Sequence, residues 1–149
     1  MEGAERLHAL PSRLLGLAAL QADRIVGEAL AGTGARKWHY AVLATLVDDG
    51  PAGQARLAER SGIYRSDLVG VLAELGAAGH VDRVPDPTDR RRNVVSATAA
   101  GVRRLAELDG LVQAAQERLL APLDRAQRAQ LVNLLRALTG AGASPGERG

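Results

Sequence analysis

Three consecutive arginines, Arg90, Arg91 and Arg92, close the segment Pro85-Asp86-Pro87-Thr88-Asp89-Arg90-Arg91-Arg92. Like charges on an exposed turn repel unless an anion offsets them, and the narrow A·T-rich minor groove of DNA supplies such a potential. Asp89 stands two residues before Arg91, near enough along the chain for its carboxylate to accept from that guanidinium and aim it. Upstream, Arg65-Ser66-Asp67 reads as the first turn of a helix. Ser66 suits the N-cap and leaves backbone N–H groups for a phosphate. Arg65 has the fork for guanine or for phosphate, and Asp67 can accept from a cytosine amino group or orient Arg65. Gln54, Arg56, Arg60 and Tyr64 add candidates for phosphate contact, and Gly70 lies further along the outward face.

Each of these has a plainer alternative. The arginine run suits a solvated surface, and Ser66 and Asp67 suit ordinary helix capping and dipole matching. Net charge does not decide, because the whole chain carries only +2 and Gln54 to Arg92 balances seven arginines against six carboxylates. Arrangement has to decide instead. A second grouping, Trp38-His39-Tyr40, holds all but one of the aromatic residues, in a chain with no Phe. By its residues alone the grouping suits an anchor between two lobes, with Trp38 the buried ring.

Enzyme chemistry finds little support. The chain has no cysteine, which excludes disulfides, thiolate metal sites and thiol redox switching. His8, His39 and His80 lie far apart, and no metal-binding H-x-x-x-H, P-loop, G-x-G-x-x-G or G-x-S-x-G spacing occurs. No cofactor is expected. The longest apolar run, Leu14 to Leu20, is too short to span a bilayer, and the N-terminus lacks a signal-peptide layout. A cytoplasmic chain with no membrane association is the expectation.

The elements that must carry these residues are mostly helical. With 149 residues, 46% of them hydrophobic and 24% charged, the chain suits one domain whose core is built from Leu, Ala, Val and Ile. Helical spacing runs from Pro11-Ser12 to Leu30 with Leu14, Leu17, Ile25 and Val26 inward, and breaks at Gly32-Thr33-Gly34. A helix from Ala35 to Asp48 buries Val42, Leu43, Leu46 and Val47. A short one, Gln54 to Arg60, carries Leu57 and Ala58. Next comes Ser66 to Ala78 with Leu68, Leu72 and Leu75, closed by Gly79. His80–Val84 and Asn93–Ala97 are short strands flanking the arginine turn, a hairpin with a long tip. Thr98 caps a helix to Leu119 with Val102, Leu105, Leu108, Val112, Ala115 and Leu119 inward. Asp124 with Gln127 opens a last helix bearing Leu131, Leu134, Leu135 and Leu138. The class is mainly α with a small β-hairpin wing: a winged helix-turn-helix on a helical dimerisation frame. Residues 1–34 and 99–140 form the frame, 35–98 the DNA-binding region and 141–149 a disordered tail.

From Gln54 to Gly101 the chain resembles the MarR family of bacterial transcriptional regulators. The resemblance rests on Gln54-Ala55-Arg56-Leu57-Ala58-Glu59-Arg60, Arg65-Ser66-Asp67-Leu68, Leu75 with Gly79, the wing Asp86 to Arg92, and Thr98-Ala99-Ala100-Gly101. It implies a homodimer joined by the terminal helices, recognition helices in successive major grooves, and wing arginines in the flanking minor grooves. It also implies, in many members, release of DNA on binding a small aromatic ligand, in a pocket near the helix of Trp38-His39-Tyr40, where the ligand could stack with His39 or Tyr40 as hydrogen-bond partner. The function expected is a sequence-specific DNA-binding regulator, a repressor that responds to an effector, on a pseudo-palindromic operator in double-stranded DNA. The alternative is a winged-helix module that binds protein, kept open by the non-polar Val69 and Gly70 on the outward face.

Overall fold

The computed structural model describes residues 4–141, so the expected disordered tail falls, apart from Ala141, outside the described residues. Among the described residues, seven helices and one hairpin follow in order: α1 (Glu5–His8), α2 (Pro11–Leu30), α3 (Lys37–Asp49), α4 (Gln54–Ser61), α5 (Arg65–Ala77), β1 (Val81–Pro85), β2 (Asn93–Ala97), α6 (Ala99–Leu119) and α7 (Arg125–Thr139). The mainly α class with a β-hairpin wing is therefore the observed one. The short α1 has no counterpart in the sequence reading, because a single turn is too brief to show a period.

One core joins α3, α4, α5 and the hairpin. Val42, Leu43 and Leu46 meet Leu57, Ile63, Leu68, Val71, Leu72, Leu75, Val81 and Val95, with Leu105 reaching in from α6. A smaller cluster of Leu30, Leu108 and Val112 fastens α2 to α6. Strand β2 is central: it pairs antiparallel with β1, Val81 opposite Ala97 and Pro85 opposite Asn93. Its other edge exchanges both hydrogen bonds between Val95 and Ala52, just before α4. The wing is thereby sewn to the start of the helix-turn-helix.

Two glycines set turns that other residues would resist. Gly62, at φ +73°, turns the chain from α4 to α5, and Gly79, at φ +77°, follows α5 and lets His80 N–H reach the Leu75 carbonyl. The Thr98 cap is more than a cap. Its hydroxyl donates to the Gly79 carbonyl at 2.6 Å and accepts from Gly101 N–H at 3.0 Å. That draws α6 so close to the hairpin that a Cβ on Gly101 would lie 2.1 Å from the His80 carbonyl oxygen.

Several residues expected inside lie at the surface. Leu14 and Leu17 on α2, Val47 on α3 and Val102 on α6 are exposed. Helix α7 buries no residue, and its Leu134 and Leu138 are 68% and 67% exposed. The period of α2 and α7 is helical as expected, but only the C-terminal part of α2, with Ile25 and Leu30, is buried within the chain, and the Leu14–Leu17 part and the face of α7 are left exposed.

Candidate nucleic-acid interface

The start of α4, the first turn of α5 and the wing open onto one cleft of about 710 Å³, lined by Gln54, Arg56, Arg65, Asp86, Arg92 and Asn93 among others. Residues separated by up to 39 positions thus share one surface. Gln54 and Arg56 come from the turn of α4 that follows the Ala52–Val95 bridge, and Arg65 opens α5. Tyr64 is 81% exposed beside them, and Ser66, Asp67 and Gly70 lie exposed along the same helix, with open space beside Gly70. Asp86 and Asn93 were expected in the wing and at the start of its second strand but not among the contact residues; the pairing of Pro85 with Asn93 at the base of the wing sets both on the cleft.

The helix start differs from expectation. Tyr64, with extended backbone, is the N-cap, and Ser66 sits inside the first turn without capping. The Tyr64 carbonyl takes the N–H groups of Asp67 and Leu68. No side chain caps this terminus, so its leading N–H groups remain available to an anion, reinforced by the helix dipole. Asp67 supplies the only acid of that turn.

The wing is held by its two aspartates. Asp86 accepts from Thr88 through both backbone N–H, 2.9 Å, and hydroxyl, 2.8 Å, which holds its carboxyl below the usual range. Asp86 N–H donates to the Arg92 carbonyl at 2.8 Å, and Arg92 N–H to the Asp89 carbonyl at 3.0 Å. The expected guanidinium pair of Asp89 is corrected: its carboxylate accepts from the backbone N–H of Arg91 at 3.1 Å and faces the guanidinium of Arg92 at 3.7 Å. Two residues of spacing in a tight turn return the backbone N–H, not the guanidinium, of Arg91 to the carboxylate. Arg90, Arg91 and Arg92 are exposed.

Arg60 is engaged elsewhere. It pairs with Asp49 at the end of α3, 3.1 Å away, and does not line the cleft. The aromatic grouping is also separated. Trp38 lines a cleft of about 550 Å³ between α2 and α3, with Gly27, Leu30, Arg36 and Lys37. His39 lines a different and smaller space of about 90 Å³. Tyr40 lines neither of these; its hydroxyl donates to Asp109 at 2.6 Å, and burial with that carboxylate pushes its pKa up to about 12. Successive helix residues point about 100° apart, so three in a row cannot share one wall. Among the described residues, no cluster of three or more His, Asp or Glu side chains is placed to hold a metal ion, and no helix is long and apolar enough to cross a membrane.

Comparisons with known proteins agree with this architecture. Residues 33–92 match the model of the MarR family. A protein of Thauera aromatica, named for transcriptional regulation of the hcr operon, is 32% identical over 99 residues, 66% of this chain and 60% of that one. The HTH-type transcriptional repressor NicR of Pseudomonas putida is 30% identical over 102 residues, 66% of this chain and 63% of that one. The chain thus spans a little over 60% of the length of the curated relatives it matches. The PcaV transcriptional regulator of Streptomyces coelicolor, solved in complex with its natural ligand, superposes with a TM-score of 0.80 at 27% identity, covering 96% of this chain and 100% of that one. With α4, α5 and the wing sharing one basic cleft, residues 33–92 are similar to the MarR family of regulators.

Proposed function

We propose that the protein is a cytoplasmic, homodimeric, sequence-specific DNA-binding regulator that represses transcription from a pseudo-palindromic operator. The observation that carries this is the shared cleft, which sets Arg56, Arg65 and Arg92 around the uncapped start of α5. A helix entering a major groove presents its first turn to base edges and phosphates, and a wing beside that turn reaches towards the adjacent minor groove. Arg65 and Ser66 are the base-reading candidates, with Asp67 beside them; Gln54, Arg56 and Tyr64 are phosphate candidates; Arg90, Arg91 and Arg92 enter the minor groove. Arg60 contributes less, because Asp49 already holds it.

In this reading, residues 35–98 bind DNA, and 1–34 with 99–140 join two copies. The support is apolar surface: Leu7, Leu10, Leu14, Leu17 and Leu20 are exposed at one end, and Leu134 and Leu138 at the other. Packing them on the same helices of a second copy covers both faces with twofold symmetry, which an inverted-repeat operator mirrors. A small aromatic effector is assigned to the Trp38 cleft, whose volume suits a small ligand. Selection of bound duplexes from a random DNA pool tests the reading. One recurrent inverted repeat, with half-sites about one helical turn apart, is the expected outcome. Recovery of no sequence, with binding insensitive to salt, would mean that the winged helix serves another partner.

A further inference from the structure

His39 is the one buried polar side chain in the described core, 4% exposed, and both its ring nitrogens are engaged. Nδ1 accepts from the backbone N–H of Arg36 at 2.9 Å, so the proton sits on Nε2 and is donated to Glu74 Oε2 at 2.7 Å. The other carboxylate oxygen of Glu74 takes the Arg36 guanidinium at 3.3 Å. These donors hold the Glu74 carboxyl below its ordinary pKa, the His39 hydrogen bond first among them. Residues at the start of α3 thus grip the third turn of α5 from two sides.

What else fixes α5 is different in kind. Leu68, Val71, Leu72 and Leu75 bury its inner face. Apolar burial is non-directional, so no single contact of it dictates the rotation of the helix about its axis. Glu74 is the only side chain of α5 that hydrogen-bonds another helix among the described residues. Among the described residues, the 13-residue α5 thus has one directional side-chain anchor to another helix, at the start of α3 and far from the turn proposed to read DNA.

We infer that Arg36, His39 and Glu74 form a clasp that sets the rotation of α5 about its axis, making Glu74 a positioning residue for base readout. The inference rests on the DNA-binding reading above. It runs against simple electrostatics: Glu74 is an exposed acid on a helix proposed to meet a polyanion, so removing it should strengthen nonspecific binding. A clasp predicts the opposite for specific binding. With the anchor lost, Arg65 and Ser66 are displaced from their base edges, while phosphate attraction survives.

The test uses the full-length protein and the duplex that the wild type selects from a random pool, alongside a scrambled duplex of equal length. Glu74→Ala is expected to weaken the selected duplex roughly tenfold, the equivalent of one lost base contact, with scrambled binding unchanged or tighter. Glu74→Gln keeps an acceptor for His39 Nε2–H and should restore most of the specificity ratio. A role in stability alone would lower the melting temperature and both affinities together, without altering their ratio. An unchanged or increased ratio in Glu74→Ala overturns the clasp. Failure of the wild type to select any duplex instead overturns the DNA-binding reading.

Discussion

Replacing Gly101 with alanine should be costly at a position where helix propensity argues for it. Alanine in a helix interior gains about 1 kcal/mol over glycine. Here the new Cβ would stand 2.1 Å from the His80 carbonyl oxygen and 3.1 Å from its carbon, both backbone atoms with no rotamer to yield. Reaching ordinary contact requires the two segments to part by about 1 Å, overpacking that costs towards 3 kcal/mol. That shift strains the bond from Thr98 N–H to the His80 carbonyl, 3.0 Å, and the Thr98 cap on Gly101, worth about 1 kcal/mol more. The net expectation for Gly101→Ala is a loss of about 2–3 kcal/mol, a drop in melting temperature of roughly 5–10 °C. Gly110→Ala, in the same helix with nothing near its Cβ position, is the control and should gain about 1 kcal/mol. Urea unfolding followed by far-ultraviolet circular dichroism, at one fixed protein concentration, compares the two. If Gly101→Ala is as stable as the parent, or shifts as Gly110→Ala does, the close approach of α6 to the hairpin does not hold this fold.

Arg65→Ala should cost about 1–3 kcal/mol in binding the selected duplex and relax preference at one base pair per half-site, whereas equal weakening on every sequence would make Arg65 a phosphate contact. Asp89→Ala should weaken binding although it adds positive charge, because it frees the Arg91 N–H and the Arg92 guanidinium; tighter binding would show the arginines to be an unstructured basic patch. Leu134→Lys with Leu138→Lys should give a monomer in sedimentation that loses the selected duplex, and an intact dimer would refute the role given to α7. Tyr40→Phe should cost about 1 kcal/mol by removing the bond to Asp109. Because folding raises the Tyr40 pKa, its contribution is complete below the ordinary phenol value of 10.0 and is lost as pH climbs towards about 12; an identical pH profile in Tyr40→Phe would contradict this.

The sequence displayed what depends on local patterning. The caps at Thr98 and Asp124, the stripe Leu68, Leu72, Leu75 and the hairpin flanking the arginines all follow from spacing within one element. Gly101 was legible as part of a motif, but its reason, a carbonyl from another segment, was not. What stayed hidden crosses between elements. Arg36 and Glu74 are 38 residues apart and no period links them. Asp89 chose Arg92 over Arg91 because turn geometry, not residue count, sets which guanidinium returns. Leu14 and Leu17 carry the right period for burial, and periodicity cannot say whether the covering surface belongs to the same chain or to another.

If Arg56, Arg65 and the wing arginines neutralise DNA phosphates and groove potential as one surface, binding must weaken steeply as salt rises. Affinity for the selected duplex should be measured from low to physiological salt for the parent and for Arg92→Ala. A steep linear fall of log affinity with log salt is expected, with a slope about two units shallower for the Arg92→Ala dimer, about one for each protomer. A slope near zero, or one that Arg92→Ala leaves unchanged, would contradict it.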